Sequence, residues 1–219
     1  MSSAFDFAKY LIKQGMDTNS NTIDGNMKLQ KLLTFANLIS LAELDEPLFE
    51  EEITAFVEGC VIEPVRLRYR NDYRNFVEES NKFVPEFTQS EYDVLNLAVS
   101  ILGKLSAREL SNLNHSFAFW RDAYNNSVDP SGYKDKRKAV VTVEAMRGEL
   151  DRVRVMVKAF RDTQEERNLS ELINGVQFIY SPDTLTFDDD VVDQLYEFSL
   201  LATDPAYSVY IDGGELVVY

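Results

Sequence analysis

Apolar residues recur at helical spacing through much of the first 160 residues of the chain. The strongest pattern covers residues 27–44, where the apolar positions on one face are Leu29, Leu32, Leu33, Ala36 and Ile39. This spacing is typical of an amphipathic α-helix. Phe35 and Leu38 widen the apolar face, so the helix is predicted to be buried on most sides. Lys28 and Lys31 are expected to project from the remaining strip.

Periodicity and helix-start signals predict further helices. Apolar spacing indicates helices over residues 4–16 and 143–160, and Pro64 suits the first turn of a helix that reaches residue 69. The sequences Thr-Gln-Ser-Glu at 88–91 and Ser-Ala-Arg-Glu at 106–109 are capping boxes. In a capping box the hydroxyl accepts from a free backbone N–H while the glutamate reaches back. Each of the two is predicted to begin a helix.

Two regions of the first 160 residues have a weaker pattern. Residues 53–57 alternate in the manner of a short strand, which Gly59 is expected to end. Residues 71–87 are charged and aromatic with no clean period, and they are predicted to be irregular.

The C-terminal end combines strands with a helix. Strands are predicted at 175–180 and 184–187, and Asp188, Asp189 and Asp190 place negative charge at the start of a helix that runs to residue 201. The turn sequence Asp-Gly-Gly at 212–214 predicts a hairpin whose two strands are residues 207–211 and 215–219.

These elements predict an α+β fold that is mainly helical, with short strands and a small mixed α/β extension at the C-terminal end. We expect a domain over residues 1–162 and an acidic extension over 163–219 that packs on it. The extension carries most of the charge. The whole chain has 37 acidic and 22 basic residues (−15), of which residues 161–219 hold 13 acidic and 2 basic (−11). Such a field repels nucleic acid and anionic membranes and attracts basic partners.

Catalytic and metal-binding signals are weak. His115 is the single histidine and Cys60 the single cysteine, which gives no recognisable nucleophilic motif and too few ligands for zinc. A hydrolase using His115 with carboxylates remains a minor alternative to a packed histidine. The triple aspartate lacks the spacing of a calcium loop and suits a helix cap better. We therefore expect no enzyme activity, no metal and no cofactor.

Targeting signals are equally weak. The N-terminal segment has no basic region followed by an apolar run, and no apolar stretch approaches the roughly 20 residues that span a bilayer. A single cysteine suits a reducing compartment. These features predict a cytoplasmic protein that does not bind a membrane.

Several motifs occur in a characteristic order. Residues 28–33 read Lys-Leu-Gln-Lys-Leu-Leu and are followed by an aromatic residue and alanine at 35 and 36, and residues 47–49 read Pro-Leu-Phe. Gly59 then leads into Glu-Pro at 63–64, and a segment from Leu105 ends in His115 with Trp120 soon after. This order resembles the SocA-like domain, also called the Panacea domain, of bacterial and phage antitoxins. Cys60 stands where the family carries the proline of Gly-Pro-Val.

The resemblance spans about residues 4–125 and more loosely reaches 160. The residues at its motif positions are Lys28, Gln30, Lys31, Gly59, Tyr69, His115 and Trp120. They either support a partner-binding face or merely hold the fold, and we favour the second role for Trp120. The acidic extension lies outside the resemblance.

The resemblance implies an antitoxin that neutralises a cognate protein toxin by direct stoichiometric binding. We take the candidate partner-binding residues from the acidic extension: Asp188, Asp189, Asp190 and Glu215. The terminal hairpin also offers an edge to which a partner strand could add.

Two alternatives to direct binding stay open. The first is an adaptor that delivers the toxin to a cellular protease. The second is a prophage DNA-binding regulator that uses a basic patch, for which the candidate residues are Lys28, Lys31, Arg66, Arg68, Arg70 and Arg74. The net charge of −15 argues against nucleic acid as the partner.

Overall fold

The computed structural model describes residues 2–219, with the side chains of all but residues 165–167. The chain forms two compact units, Met1–Val157 and Lys158–Tyr219. The mainly helical α+β class predicted from the sequence is confirmed. The division falls within one long helix, near the boundary expected at Thr163. That residues 1–162 and 163–219 act as separate domains stays a prediction.

The first unit consists of helices and a small three-stranded sheet. In chain order its elements are α1 (Ala4–Lys13), α2 (Ile23–Leu44), β1 (Ile53–Phe56), β2 (Gly59–Val61), α3 (Glu63–Asn71), α4 (Tyr73–Lys82), α5 (Gln89–Leu102), α6 (Ala107–His115), α7 (Ala118–Ser127), a 3-10 turn (Lys136–Lys138), β3 (Val140–Val141), α8 (Val143–Arg147) and the start of α9 (Leu150–Arg167). Both predicted capping boxes are present, with Thr88 and Ser106 as the caps of α5 and α6.

Helix α2 lies at the centre of this unit. Every residue from Lys28 to Leu41 is buried, which confirms the prediction of a helix covered on most sides. The expectation that Lys28 and Lys31 project into solvent is wrong, since their exposed fractions are 4% and 1%. Their ammonium groups reach backbone carbonyl oxygens of neighbouring segments instead, and this lowers the cost of burying charge.

The three-stranded sheet has the order β2-β1-β3 with antiparallel pairs. Gly59 does not end the predicted strand. It begins β2, after a tight turn at Val57 and Glu58, and pairs with Phe56 across the hairpin. Its φ of +99° lies in a backbone region that residues with a side chain rarely adopt, which is why a glycine begins this strand.

Residues 71–87 differ from the prediction of irregular structure, because α4 occupies Tyr73–Lys82. Phe76 and Ser80 lie one turn apart and are both fully buried, so the helix has a narrow buried face. The charged residues around that face obscure its period in the sequence.

The predicted continuous helix over 143–160 is interrupted. Gly148 ends α8, and the carboxylate of Glu149 accepts hydrogen bonds from the backbone N–H groups of Ala118 and Phe119 at the start of α7. This carboxylate satisfies donors that the first turn of a helix leaves free. The break therefore positions a cap for a different helix.

The second unit is a four-stranded sheet with one helix. After the end of α9 its elements are β4 (Leu169–Ile173), β5 (Val176–Tyr180), α10 (Asp189–Ser199), β6 (Ala206–Asp212) and β7 (Glu215–Val218), and the sheet order is β4-β5-β6-β7. Strands β5 and β6 are parallel and joined through α10, and the other two pairs are antiparallel. The residues of its core are Val176, Phe178, Tyr180, Leu185, Val191, Leu195 and Val209.

The predicted hairpin and helix of this unit are confirmed, and one predicted strand is wrong. Gly213 and Gly214 have positive φ and form the turn between β6 and β7. Residues 184–187 form no strand; the backbone N–H groups of Thr184 and Leu185 both donate to the Ser181 carbonyl in a turn. That turn places Leu185 in the core instead of on a sheet.

Candidate partner-binding site

The hairpin of β1 and β2 is held by side chains from three helices. Lys31 Nζ on α2 donates to the Cys60 carbonyl oxygen at 2.9 Å, and Asn114 Oδ1 on α6 accepts from the Cys60 backbone N–H at 2.7 Å. Trp120 Nε1 on α7 donates to the Phe56 carbonyl oxygen at 2.8 Å. Three motif positions, at 31, 59 and 120, therefore meet at this hairpin, and Asn114 joins them without having been predicted.

Gly59 is required here by space as well as by backbone angle. A Cβ atom at this position would lie 2.5 Å from Asn114 Oδ1 and 2.6 Å from Lys31 Cε. A Cβ atom essentially never comes this close to another heavy atom, so any side chain would displace one of the two groups.

The remaining motif side chains also bridge separate segments. Gln30 Oε1 accepts from the Ile62 backbone N–H at 2.8 Å. Lys28 Nζ donates to the Gly103 carbonyl oxygen at 2.7 Å. The hydroxyl of Tyr69 donates to Asp17 Oδ2 at 2.8 Å. Each contact joins α2 or α3 to a residue between regular elements, so the motif positions build the scaffold. A direct role for them in partner binding stays a prediction.

His115 stacks on Trp120 with ring centroids 3.9 Å apart. Its pKa is lowered, first by burial and then by the charge of Lys31, so the ring is neutral at physiological pH. Among the described residues, His115 Nε2 and Asn114 Nδ2 are buried without a hydrogen-bond partner.

Cys60 lies on the same hairpin. Burial raises the pKa of the Cys60 thiol to about 12, so it stays protonated, whereas a nucleophilic cysteine needs a thiolate.

A recess of about 570 Å³ opens beside this hairpin, between the start of α2 and α3. Its walls are mainly apolar and include Phe56, Met27 and Tyr69. Two apolar residues at its mouth are unusually open to solvent: Ile23 is 84% exposed and Val57 is 62% exposed. A concave, mostly apolar site of this volume is within the range of ligand pockets.

Three cationic side chains line the recess. Arg66 pairs with Glu63 at 2.6 Å. Lys31 lies in the wall, and burial lowers its pKa to about 8. Arg70 is exposed and forms no ion pair with any described residue.

The basic patch suggested by the sequence does not assemble. Lys28 and Lys31 on α2 are buried, and Arg68 is shared between Asp72 and Glu79 at 2.7 Å each. A duplex-binding surface needs several accessible cations along one face. Arg66 is also paired, so Arg70 and Arg74 are left of the six candidates, and the case for a DNA-binding role is weakened.

The acidic candidates of the extension lie on different elements. Asp188 caps α10 by accepting from the Val191 backbone N–H at 3.0 Å, and Asp189 and Asp190 occupy the first turn. Glu215 begins β7 and faces Asp212 across the hairpin. All of these carboxylates are exposed.

The part of the chain that the structure describes contains no group of three or more histidine, cysteine or carboxylate side chains arranged to hold a metal ion. Nor does any helix there combine the length and the apolar character that a membrane crossing requires.

Comparison with known proteins identifies one segment. Residues 29–121 match the family model described as "Antitoxin SocA-like, Panacea domain". No curated protein and no solved structure matches the chain. The matched segment begins in α2 and ends in α7, so it contains the β1–β2 hairpin and the helices that hold it. The resemblance inferred from the motifs is confirmed, and residues 29–121 of this chain are similar to the SocA-like antitoxins that carry a Panacea domain.

Proposed function

We propose that this protein is an antitoxin that neutralises a protein toxin by binding it stoichiometrically. The observation that carries the proposal is the match of residues 29–121 to the antitoxin family model. The geometry supports it. The motif side chains of Lys31 and Trp120 hydrogen-bond to the backbone of the β1–β2 hairpin and hold it in place, while Val57 at its tip is exposed. A rigid, preorganised surface binds a partner at a lower entropic cost.

We further propose that the acidic extension contributes to the choice of toxin. Residues 168–219 contain ten acidic residues and no lysine, arginine or histidine. A surface of one charge sign accelerates the encounter with an oppositely charged protein and disfavours other partners. Asp189, Asp190 and Glu215 are the residues we assign to this contact, and the partner they fit is a basic toxin.

Co-expression tests the antitoxin activity. Products of the genes adjacent to the one that encodes this chain are expressed alone and together with it. One of them is expected to arrest growth alone, to be harmless in the presence of this protein, and to co-purify with it at a fixed molar ratio. The proposal fails if every neighbouring product is harmless, or if toxicity persists when both proteins are present.

Toxin half-life separates blocking from delivery to a protease. A stoichiometric blocker leaves the bound toxin intact, so its half-life in cells is expected to stay the same or to lengthen. A half-life that shortens when this protein is present would contradict stoichiometric blocking and support the adaptor alternative.

A charge-neutralising pair tests the acidic extension. Asp189→Asn with Asp190→Asn is expected to weaken toxin binding by about three- to tenfold, mainly through slower association. The matched control is Glu50→Gln with Glu86→Gln, which removes the same charge from exposed positions of the first unit. Equal effects of the two pairs would argue against a local contact.

A further inference from the structure

We propose that the recess beside the β1–β2 hairpin binds an apolar side chain of a partner protein, together with a carboxylate next to it, which pairs with Arg70 and Lys31. The identity of the partner as the toxin rests on the function proposed above. The binding chemistry of the recess does not depend on it.

The apolar part of the inference rests on volume and exposure. The recess holds about 570 Å³, which is ample for one large aliphatic or aromatic side chain. Ile23 and Val57 stand at its mouth and are largely exposed, although both are strongly apolar. Covering such residues removes apolar surface from water at about 25 cal/mol per Å². A partner side chain inserted between them would bury both.

Neither Lys31 nor Arg70 forms an ion pair with a described carboxylate, and Glu58, which also lines the recess, acts on Lys31 only as a nearby charge. In the described part of the chain, the one hydrogen-bond acceptor found for Lys31 Nζ is the Cys60 carbonyl oxygen, although an ammonium has three donors. Arg70 has no ion pair there. The nearby carboxylates are occupied, Glu63 by Arg66 and Glu58 by Arg108.

Charge complementarity therefore selects an acidic occupant. An incoming carboxylate would neutralise a charge that burial already disfavours, so its pairing with Lys31 gains from the low local dielectric. The apolar walls exclude a phosphate-rich ligand, which would need polar groups all around it. The chemistry fits an aspartate, a glutamate or a terminal carboxylate next to a large apolar side chain.

The charged surroundings of Lys31 make this binding sensitive to pH. The titratable groups that interact with Lys31 are Glu58 and Cys60 on the hairpin and His115 on α6. His115 is neutral above its lowered pKa and Cys60 is protonated up to about pH 12, so Lys31 is the group of this set that titrates near pH 8. Carboxylate binding is expected to weaken as the pH rises through 8.

A small probe tests the recess without the toxin. Isotope-labelled full-length protein is titrated with N-acetyl-phenylalanine and, separately, with its uncharged amide, and backbone resonances are followed by NMR. Saturable shifts are expected at Val57, Ile23 and Arg70, with binding of the acid in the millimolar range and at least threefold weaker binding of the amide. The absence of saturable shifts at these residues, or equal binding of the two probes, would overturn the inference.

Surface variants keep the test independent of folding. Val57→Asp and Arg70→Ala change exposed side chains. Val57→Asp is expected to abolish probe binding, and Arg70→Ala is expected to weaken binding of the acid but not of the amide. Their matched controls are Val84→Asp, at a position that is 78% exposed, and Arg74→Ala, also exposed; both should bind like the unaltered protein. If a control weakens binding as much as its counterpart, the recess is not the site.

Growth rescue then separates this inference from the antitoxin proposal. If the unaltered protein rescues growth and Val57→Asp does not, the recess takes part in toxin binding. If Val57→Asp rescues growth fully, the toxin is not the occupant, and the inference about the partner fails while the antitoxin function stands.

Discussion

Two buried lysines supply hydrogen bonds to backbone carbonyl groups that no regular element would satisfy. Lys31 serves the β1–β2 hairpin, and Lys28 serves the end of α5. Lysine is rarely buried, so a helical pattern alone assigns it to the solvent side. The sequence therefore predicted the helix and the motif correctly but placed these two side chains on its wrong surface.

Replacing Gly59 tests how tightly the hairpin is packed. Gly59→Ala is expected to lower the free energy of unfolding by about 1–2 kcal/mol from its positive φ and by about 1–3 kcal/mol more from overpacking. Gly132→Ala is the control, because Gly132 has a φ of +83° and nothing near its Cβ position. Urea denaturation of both variants separates the two costs. Equal losses would show that Asn114 and Lys31 move aside freely.

The buried ammonium of Lys31 gives unfolding a specific pH dependence. Its pKa is about 8 in the folded protein, against an ordinary value of 10.5. Between these values the unfolded chain keeps a proton that the folded protein has lost, so the free energy of unfolding rises with pH. Relative to Lys31→Met, the unaltered protein should gain about 1 kcal/mol from pH 7.5 to 9.

The window for that measurement is set by Cys60. Burial raises the pKa of its thiol from 9.0 to about 12, so above pH 9 this group lowers the free energy of unfolding as the pH rises. The Lys31→Met protein carries the same thiol, so the difference between the two proteins in denaturant titrations at several pH values from 7.5 to 9 isolates Lys31. Parallel pH profiles of the two proteins would contradict a depressed pKa.

At the scale of elements, predictability followed the strength of local signals. Four features are encoded by residues close together in the sequence, and all four were predicted. They are the capping boxes at Thr88 and Ser106, the long α2 and the hairpin turn at Gly213. Strands β2, β3 and β4 are two to five residues long. Strand β3 pairs with the distant β1, whereas β2 and β4 each pair with the neighbouring strand across a two-residue turn. Segments this short leave too little periodicity in the sequence to be recognised.

The terminal hairpin contains a local conflict of charge. Asp212 and Glu215 face each other across β6 and β7, where like charges destabilise a sheet. Glu215→Lys should turn this repulsion into attraction and raise the free energy of unfolding by roughly 0.5–1 kcal/mol. Glu171→Lys in β4 is the control, since Glu171 faces Phe178 and gains no partner. Thermal unfolding compares the two.

A stabilised Glu215→Lys variant also bears on function. If Glu215 contacts a basic toxin, the same substitution should raise stability and weaken toxin binding. A variant that is more stable and binds the toxin unchanged would remove Glu215 from the proposed contact.

At the scale of the whole molecule, acidic charge is concentrated in one of the two units. Residues 168–219 combine ten acidic residues with no basic ones, whereas ion pairs such as Lys9–Asp6 and Arg147–Asp45 lie in the first unit. This segregation was visible in the sequence. The recess was not, because Ile23, Val57 and Arg70 come from three separate elements and meet only after folding.

Repulsion among the acidic residues of the second unit predicts that its thermal stability depends on salt. Between 10 and 150 mM NaCl the screening length falls from about 30 to about 8 Å, so repulsion among the ten carboxylates weakens. The midpoint of thermal unfolding should rise by about 2–4 °C, as measured by circular dichroism. A variant with Glu171→Lys and Asp193→Lys replaces two negative charges there with two positive ones, which makes the net charge less negative by four units, and it should respond less. An equal response would assign the effect to the first unit.

The lack of basic residues beyond Arg167 also determines where proteases specific for lysine and arginine cleave the protein. Proteases that cleave after lysine or arginine find no target bond from Asn168 to the end of the described chain, whether or not that region is folded. Digestion with trypsin will therefore release all four strands of the second sheet and α10 as one continuous peptide. A single mass then reports on every modification or cross-link that this region acquires.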